Sequence, residues 1–319
     1  MKTEKLTIKG MCFGEVLWDN LPTGRQLGGA PLNVAYHLNK LGVETMMLTR
    51  VGQDQAGDDL VRLCASLGIP TRLFQRDSKY PTSTVEVHID ENRDVTYEIV
   101  FPVAWDYIAV GMQELDAVKE ADFLVFGTLS TRNQASYETW KMLLPFAKFK
   151  VLDVNLRAPF YTKERVLELL SHVDLVKMNQ EELDMVATWM GLSETWTDRM
   201  KVDAIMESCY VDEVIITYGA RGAVYHVQSA GFSYHFPALQ VEVKDTIGSG
   251  DSFLAAFLAQ RCRRDKVTSA EEMLSFAATL SGFITQSDGA CPAYDSTILN
   301  RFQWIHDLKA FHIDERATS

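Results

Sequence analysis

Short apolar runs alternate with segments of helical periodicity along almost the whole chain, and that alternation admits few folds. Runs at 11–16, 45–51, 123–126, 151–154, 175–178 and 214–217 read as strands. Helices read between and after them: one over 31–41 ended by Gly42, one ended by Gly68, then 134–147, 163–170, 250–261 and 270–286. The expectation is one α/β domain over 1–319, with a mostly parallel sheet between helices.

One stretch breaks the pattern. Over 82–89, Thr84, Glu86 and His88 alternate with Val85, Val87 and Ile89; a polar turn follows, and Val95, Tyr97 and Ile99 alternate back. This is a β-hairpin set into an α/β chain. It predicts a small β lid built from about 14–20 and 72–108. The apolar face of the hairpin needs cover from the body or a second subunit, which predicts a homodimer through the lid. Residues 224–227 and 232–236 read as a second hairpin. The tail reads as a solvated helix with an irregular end.

A net charge of −12 argues against a nucleic-acid partner. No apolar run approaches the ~20 residues of a membrane span. The five cysteines are widely spaced, with no C-x-x-C pair, as in a reducing compartment. The N-terminus lacks a signal-peptide core, and the expected location is cytoplasmic.

The chemistry concentrates in Asp245-Thr246-Ile247-Gly248-Ser249-Gly250-Asp251-Ser252-Phe253. The apolar run that follows reads as a buried helix, with Gly248 to Asp251 at its N-terminus. Such an end exposes unpaired N–H groups and the positive end of the helix dipole, so it suits an anion. A carboxylate there repels a phosphate unless it has a task, and the natural one is taking a proton from an incoming hydroxyl. Cradle and base together suggest phosphoryl transfer. Asp and Ser are also ordinary helix caps, so a plain capped turn is the alternative. A second glycine pair, Gly28-Gly29, opens the helix that carries Asn33. Further polar clusters close other strands: Asp19, Asp153 with Asn155 and Arg157, Asn179 with Glu182, and Thr217 with Gly219 and Gly222. In open α/β sheets ligands sit beyond the carboxyl ends of the strands, where all of these fall. The P-loop, the zinc-protease helix and the nucleophile elbow are missing.

In this order the motifs resemble those of the ribokinase-like (PfkB) carbohydrate kinases. Asp245 to Asp251 resembles the family's C-terminal signature, with Ser249 where alanine is usual. Gly28-Gly29-Ala30-Pro31-Leu32-Asn33 is similar to its N-terminal glycine motif. Asn179-x-x-Glu182 and Thr217-x-Gly219-x-x-Gly222 are similar to its magnesium-linked and nucleotide motifs. Gly14 to Asp19, Asp153 to Phe160 and Ala104-Trp105-Asp106 resemble the fructokinases within it. The resemblance covers about 10–300 and implies a three-layer α/β/α kinase fold with a β lid. It implies ATP-dependent phosphorylation of a sugar hydroxyl, fructose to fructose 6-phosphate first. Ribose, 2-keto-3-deoxygluconate and nucleoside acceptors, or a non-catalytic sugar binder, are the alternatives. It further implies Asp251 as base, with the amides of Gly248, Ser249 and Gly250 neutralising charge. Asp19, Gly28, Gly29, Asn33, Ala104, Asn155 and Arg157 would hold the sugar. Asn179, Thr217, Gly219, Gly222, Gly248 and Gly250 would hold ATP, and Asn179 and Glu182 would place Mg²⁺. Asp245, Ile247, Ile284 and Gly289 would hold a monovalent cation such as K⁺. Arg157 and Glu182 also have structural readings, as an ion-pair residue and as a first-turn helix acid.

Overall fold

Fourteen strands and nine helices build the described part of the chain. In the computed structural model this comprises residues 7–21, 24–89, 95–295 and 311–313. In chain order the strands are β1 (Lys9–Phe13), β2 (Leu17–Leu21), β3 (Gly24–Gly28), β4 (Glu44–Gly52), β5 (Phe74–Asp77), β6 (Ser83–Ile89) and β7 (Val95–Ile99). There follow β8 (Phe123–Gly127), β9 (Lys150–Asp153), β10 (Leu175–Asn179), β11 (Glu213–Thr217), β12 (Ala223–Val227), β13 (Phe232–Phe236) and β14 (Phe311–Ile313). The helices are α1 (Ala30–Lys40), α2 (Gln55–Ser66), α3 (Met112–Glu120), α4 (Gln134–Leu143), α5 (Lys163–Leu170), α6 (Gln180–Trp189), α7 (Asp198–Cys209), α8 (Ser249–Arg261) and α9 (Ala270–Thr285).

The main sheet runs β14-β13-β12-β11-β10-β9-β8-β1-β4-β5. From β5 to β11 every pairing is parallel; β12, β13 and β14 add antiparallel. The order reverses at β1, which has β4 on one side and β8 on the other, and a crevice opens at such a reversal. Side-chain alternation sends Val151 and Leu175 into one core layer with α1, α2, α8 and α9. Leu152 and Val176 enter the other, with α3 to α7. The sheet is thus covered on both faces, as the alternation of elements requires. Helix α8 is apolar nearly all round because it is buried all round, against α1, α9 and the sheet.

A second sheet, β3-β2-β6-β7, stands apart from the first. It is narrower than the lid expected at about 14–20 and 72–108. Gly24–Gly28, outside the expected lid, is its edge strand, paired antiparallel to β2. Phe74–Asp77 instead extends the main sheet beside β4. Ala104–Tyr107 is a short 3₁₀ turn sunk in the core. What draws it in is the Asp106–Arg132 ion pair, whose guanidinium lies 4.0 Å from the Trp105 ring and 4.4 Å from that of Phe160. The hairpin turn at 90–94 lies outside the described residues. So does most of the tail expected as a helix; its described part, β14, is a strand on β13. Among the described residues no helix is long and apolar enough to cross a membrane.

Candidate active site

Helix α8 is capped at its start by Gly248, whose φ of 77° lies in the left-handed region. A Cβ there would sit 2.6 Å from that of Ala290, so conformation and space both select glycine. The Ser249 N–H, expected to face an anion, instead turns back onto the Thr246 carbonyl at 3.2 Å; those of Gly250 and Asp251 have no acceptor among the described residues, in a glycine-rich turn that lets a ligand approach. Asp251 is the third helical residue. Its side chain is half-buried and turns toward α1, where Asn33 Nδ2 donates to Oδ2 at 2.8 Å. Burial, and then the charge of Asp153, push the Asp251 carboxyl up to about 6, against the Asn33 hydrogen bond and the Lys177 and Arg157 charges. It is therefore ionised at neutral pH yet basic enough to take a proton.

On the other side of this turn lies a cavity of about 390 Å³, lined by Thr217, Gly219, Gly222, Phe236, Ser249 and Gly250 among others. Gly219 (φ 57°) and Gly222 (φ 100°) are both left-handed. A Cβ on Gly222 would collide with the Phe236 carbonyl oxygen. The cavity thus owes its shape to a close approach of backbones.

Beneath the turn, Lys177 on β10 bonds both carboxylate oxygens of Asp153 on β9, at 2.9 and 3.0 Å. A Cβ on Gly250 would lie 3.2 Å from Lys177 Nζ. Burial works against the ammonium charge, but Asp153, Glu182 and Asp251 outweigh it and hold its pKa above the ordinary lysine value. Asn179 and Glu182 form a reciprocal cap on α6. The Glu182 N–H donates to Asn179 Oδ1 at 2.8 Å, and the Asn179 N–H to Glu182 Oε2 at 2.9 Å. The other Glu182 oxygen accepts from the Leu156 N–H at 2.8 Å. Burial, then the Asp153 charge, raise its pKa. Glu182 therefore also anchors the loop that carries Asn155 and Arg157. Asn155 is left-handed (φ 39°), a conformation asparagine tolerates. Arg157 is exposed and donates to the Leu156 carbonyl, with no carboxylate partner among the described residues.

From the small sheet comes Asp19 on β2, pushed up to about 6 by burial. Gly28 pairs with Leu17, two residues along the same strand, and a Cβ on Gly28 would collide with the Asp19 carboxylate. Gly29 (φ 118°) caps α1, and a Cβ there would meet the Glu15 carbonyl oxygen. Asp19, Gly28, Gly29 and Asn33 thus share one wall. Ala104 is withdrawn from it: fully buried, with its N–H on the Pro81 carbonyl, it presents no surface to a ligand. Trp18 is buried too, donating its indole N–H to the Ala56 carbonyl at 3.0 Å.

Behind the turn, Asp245 accepts from the N–H groups of Ile247 (2.9 Å) and Gly289 (3.3 Å). Ile284 is fully buried, and its carbonyl takes the Ser287 N–H. Among the described residues no three His, Cys, Asp or Glu side chains gather into a metal cage.

A half-buried carboxylate, a glycine-rich helix start and an adjoining cavity meet here, an arrangement that suits group transfer. Residues 9–297 match the pfkB family of carbohydrate kinases. The chain belongs to that family. It is 26% identical to probable fructokinase-5 of Arabidopsis thaliana over 317 residues, 88% of this chain and 92% of the relative. It is also 26% identical to the aminoimidazole riboside kinase of Salmonella typhimurium over 301 residues, 88% of this chain and 89% of that protein. Its fold is that of solved carbohydrate kinases. A fructokinase from Xylella fastidiosa with bound ATP superimposes with a TM-score of 0.78 at 22% identity, covering 92% of this chain and 97% of that one. A Vibrio cholerae fructokinase double mutant in fructose, ADP and potassium ion bound form gives 0.77 at 21%, covering 93% and 98%.

Two residues beside this candidate site meet across strands, a pairing that no single motif of the sequence contains. Lys177 lies within the strand expected at 175–178, and a lysine inside Leu175-Val176-Lys177-Met178, in a sheet buried on both faces, is itself a signal. Asp153, which in sequence adjoins Asn155 and Arg157, lies in register with Lys177.

Proposed function

We propose that this carbohydrate kinase transfers the γ-phosphoryl group of ATP to a sugar hydroxyl, with fructose to fructose 6-phosphate as its reaction. The observation that carries the reading is the position of Asp251: a half-buried carboxylate at the glycine-rich start of α8, between the cavity and the wall bearing Asp19. The cavity that reaches Thr217, Gly219 and Gly222 takes the nucleotide, with its phosphates over Gly248 to Gly250. The sugar lies against Asp19, Gly28, Gly29 and Asn33, with Asn155 and Arg157 across from it. Carboxylate and amide groups suit neighbouring hydroxyls. As the sugar oxygen bonds to the γ-phosphorus, its proton passes to Asp251, and the bond from phosphorus to ADP breaks. Asn33 holds one carboxylate oxygen, so the other faces the hydroxyl. The cradle amides, fixed in advance, receive the charge on the phosphoryl oxygens.

Mg²⁺ travelling with ATP would offset phosphate charge. The donors fit a contact through water to Glu182, each of whose oxygens keeps a lone pair. Asn179 Oδ1 is engaged in the α6 cap, so Asn179 is left to the cap and the nucleotide. The Asp245 carboxylate with the carbonyls of Ile247, Ile284 and Gly289 supplies hard oxygen donors for K⁺, the ion named with the Vibrio cholerae structure. We further propose the small sheet as lid and homodimer contact, to be tested by solution mass.

The Salmonella typhimurium relative keeps a riboside acceptor as the second reading. The burial of Trp18 speaks against it, because a base-stacking partner has to face the substrate. A coupled ADP-release assay with ATP, Mg²⁺ and K⁺ decides among fructose, ribose, tagatose, 2-keto-3-deoxygluconate and adenosine. Fructose should give the highest kcat/KM. A higher value for ribose or adenosine, or silence across the panel from folded protein, overturns the proposal.

A further inference from the structure

We propose that Lys177 is a catalytic residue: its ammonium group donates a hydrogen bond to the phosphoryl group in flight over Gly250, and Asp153 holds it there. This rests on the kinase reading above.

The placement follows from register. Asp153 and Lys177 are paired neighbours on β9 and β10, two residues beyond Val151 and Leu175, which face the layer containing α8. Period two therefore turns both charges toward the start of α8. The Lys177 side chain is only 8% exposed. Two of its hydrogens can serve the two Asp153 oxygens; an ammonium has three, and the third has no acceptor among the described residues. The window onto the cradle is Gly250. Of the atoms around the point where a Cβ would stand, Lys177 Nζ is nearest, at 3.2 Å. With glycine there, that space is open to a phosphoryl oxygen.

A structural ion pair is the plain alternative. As a device for stability it is a poor one, since the desolvation of two buried charges commonly cancels their attraction. As a device for catalysis it answers a specific need. Asp153, Glu182 and Asp251 all act on Lys177, and three carboxylates around one small site would repel a phosphoryl group. Arg157 is exposed, so Lys177 is the buried cation of the site among the described residues. During transfer it keeps all its protons and forms no covalent bond. The hydroxyl proton still goes to Asp251, and the electron pair of the breaking bond leaves with ADP.

The test uses Lys177→Met and the double variant Lys177→Met/Asp153→Asn, which removes both members of the buried ion pair together. Steady-state kinetics, melting temperature and calorimetric affinity for ADP alone and with aluminium fluoride, a phosphoryl mimic, are measured on each. The double variant should melt with wild type, while kcat falls on the order of 10²-fold, the usual loss for one oxyanion donor, and KM changes little. Aluminium fluoride should tighten ADP binding to wild type and no longer do so to the variants. A folded double variant that keeps wild-type kcat, or keeps that tightening, overturns the assignment. Wild-type protein that binds no ADP and phosphorylates no sugar overturns the kinase reading instead.

Discussion

Asn33 Nδ2 donates to Asp251 Oδ2 at 2.8 Å, although 218 residues separate the two in the chain. The Cys291 thiol donates in turn to Asn33 Oδ1 at 3.4 Å, which fixes which way the amide faces. Helix α1 therefore orients the carboxylate that α8 carries. Because the hydrogen bond favours the charged form, it also lowers the Asp251 pKa from where burial alone would set it. A base must be ionised to act, so kcat/KM should fall as pH drops through about 6. Asn33→Leu should move that acid limb upward as well as lower kcat/KM. A pH profile of the two proteins checks this; an unmoved limb would count against Asp251 as the titrating group.

Asp251→Asn should lower turnover on the order of 10²–10⁴-fold, as for other removed bases. It should also stabilise the fold. The unfolded carboxyl titrates near 3.9 and the folded one near about 6, so the folded state binds the proton more tightly. Acid between those values therefore favours the folded state, and the ionised carboxylate opposes folding above both. The variant should melt above wild type at pH 8, with the gain fading toward pH 4. Melting curves at both pH values decide it.

The layers of the fold were legible because they follow from patterning. A glycine ending and 3.6-residue periodicity marked α1, a continuous apolar run marked α8, and shorter apolar runs marked the strands of the parallel sheet. The glycine turns of the site were legible for a related reason: a left-handed φ, as at Gly248, or a backbone collision, as at Gly222, leaves little choice of residue. What stayed hidden depends on partners far off in the chain. Gly24-Arg25-Gln26-Leu27-Gly28 has no β-branched residue and becomes a strand only by pairing with β2. Ala104 reads like a surface contact until the buried Asp106–Arg132 pair is seen to pull its turn inside. Lys177 faces the cradle through a register that periodicity within its own strand does not reveal.

Gly222→Ala tests the nucleotide side alone. The new methyl meets the Phe236 carbonyl oxygen in a left-handed backbone, and strain of this kind costs about 1–3 kcal/mol. The melting temperature should drop and KM for ATP should rise, while KM for the sugar stays near wild type. Parallel rises in both KM values would place Gly222 outside a separate nucleotide cavity.

Glu182 is both cap and candidate metal contact, and two substitutions separate the roles. Glu182→Ala removes the acceptor of the Asn179 and Leu156 N–H groups. The lost cap should cost about 0.5–2 kcal/mol, and the freed loop should raise sugar KM through Asn155 and Arg157. Glu182→Gln keeps one acceptor oxygen but no charge. It should retain most of the stability, yet need more Mg²⁺ for half-maximal rate. Magnesium titrations on both variants check the division; an unshifted requirement in Glu182→Gln leaves Glu182 as a cap.

Arg157 distinguishes a structural from a substrate role most directly. An exposed guanidinium with no carboxylate partner among the described residues contributes little to stability. Arg157→Ala should therefore melt with wild type. Its charge nonetheless reaches Asp251, lowering that pKa, and Glu15, a buried acid whose pKa burial raises. The variant should accordingly raise sugar KM and shift the acid limb slightly upward, leaving KM for ATP unchanged. A fall in melting temperature with unchanged kinetics would instead make Arg157 a structural residue of the loop.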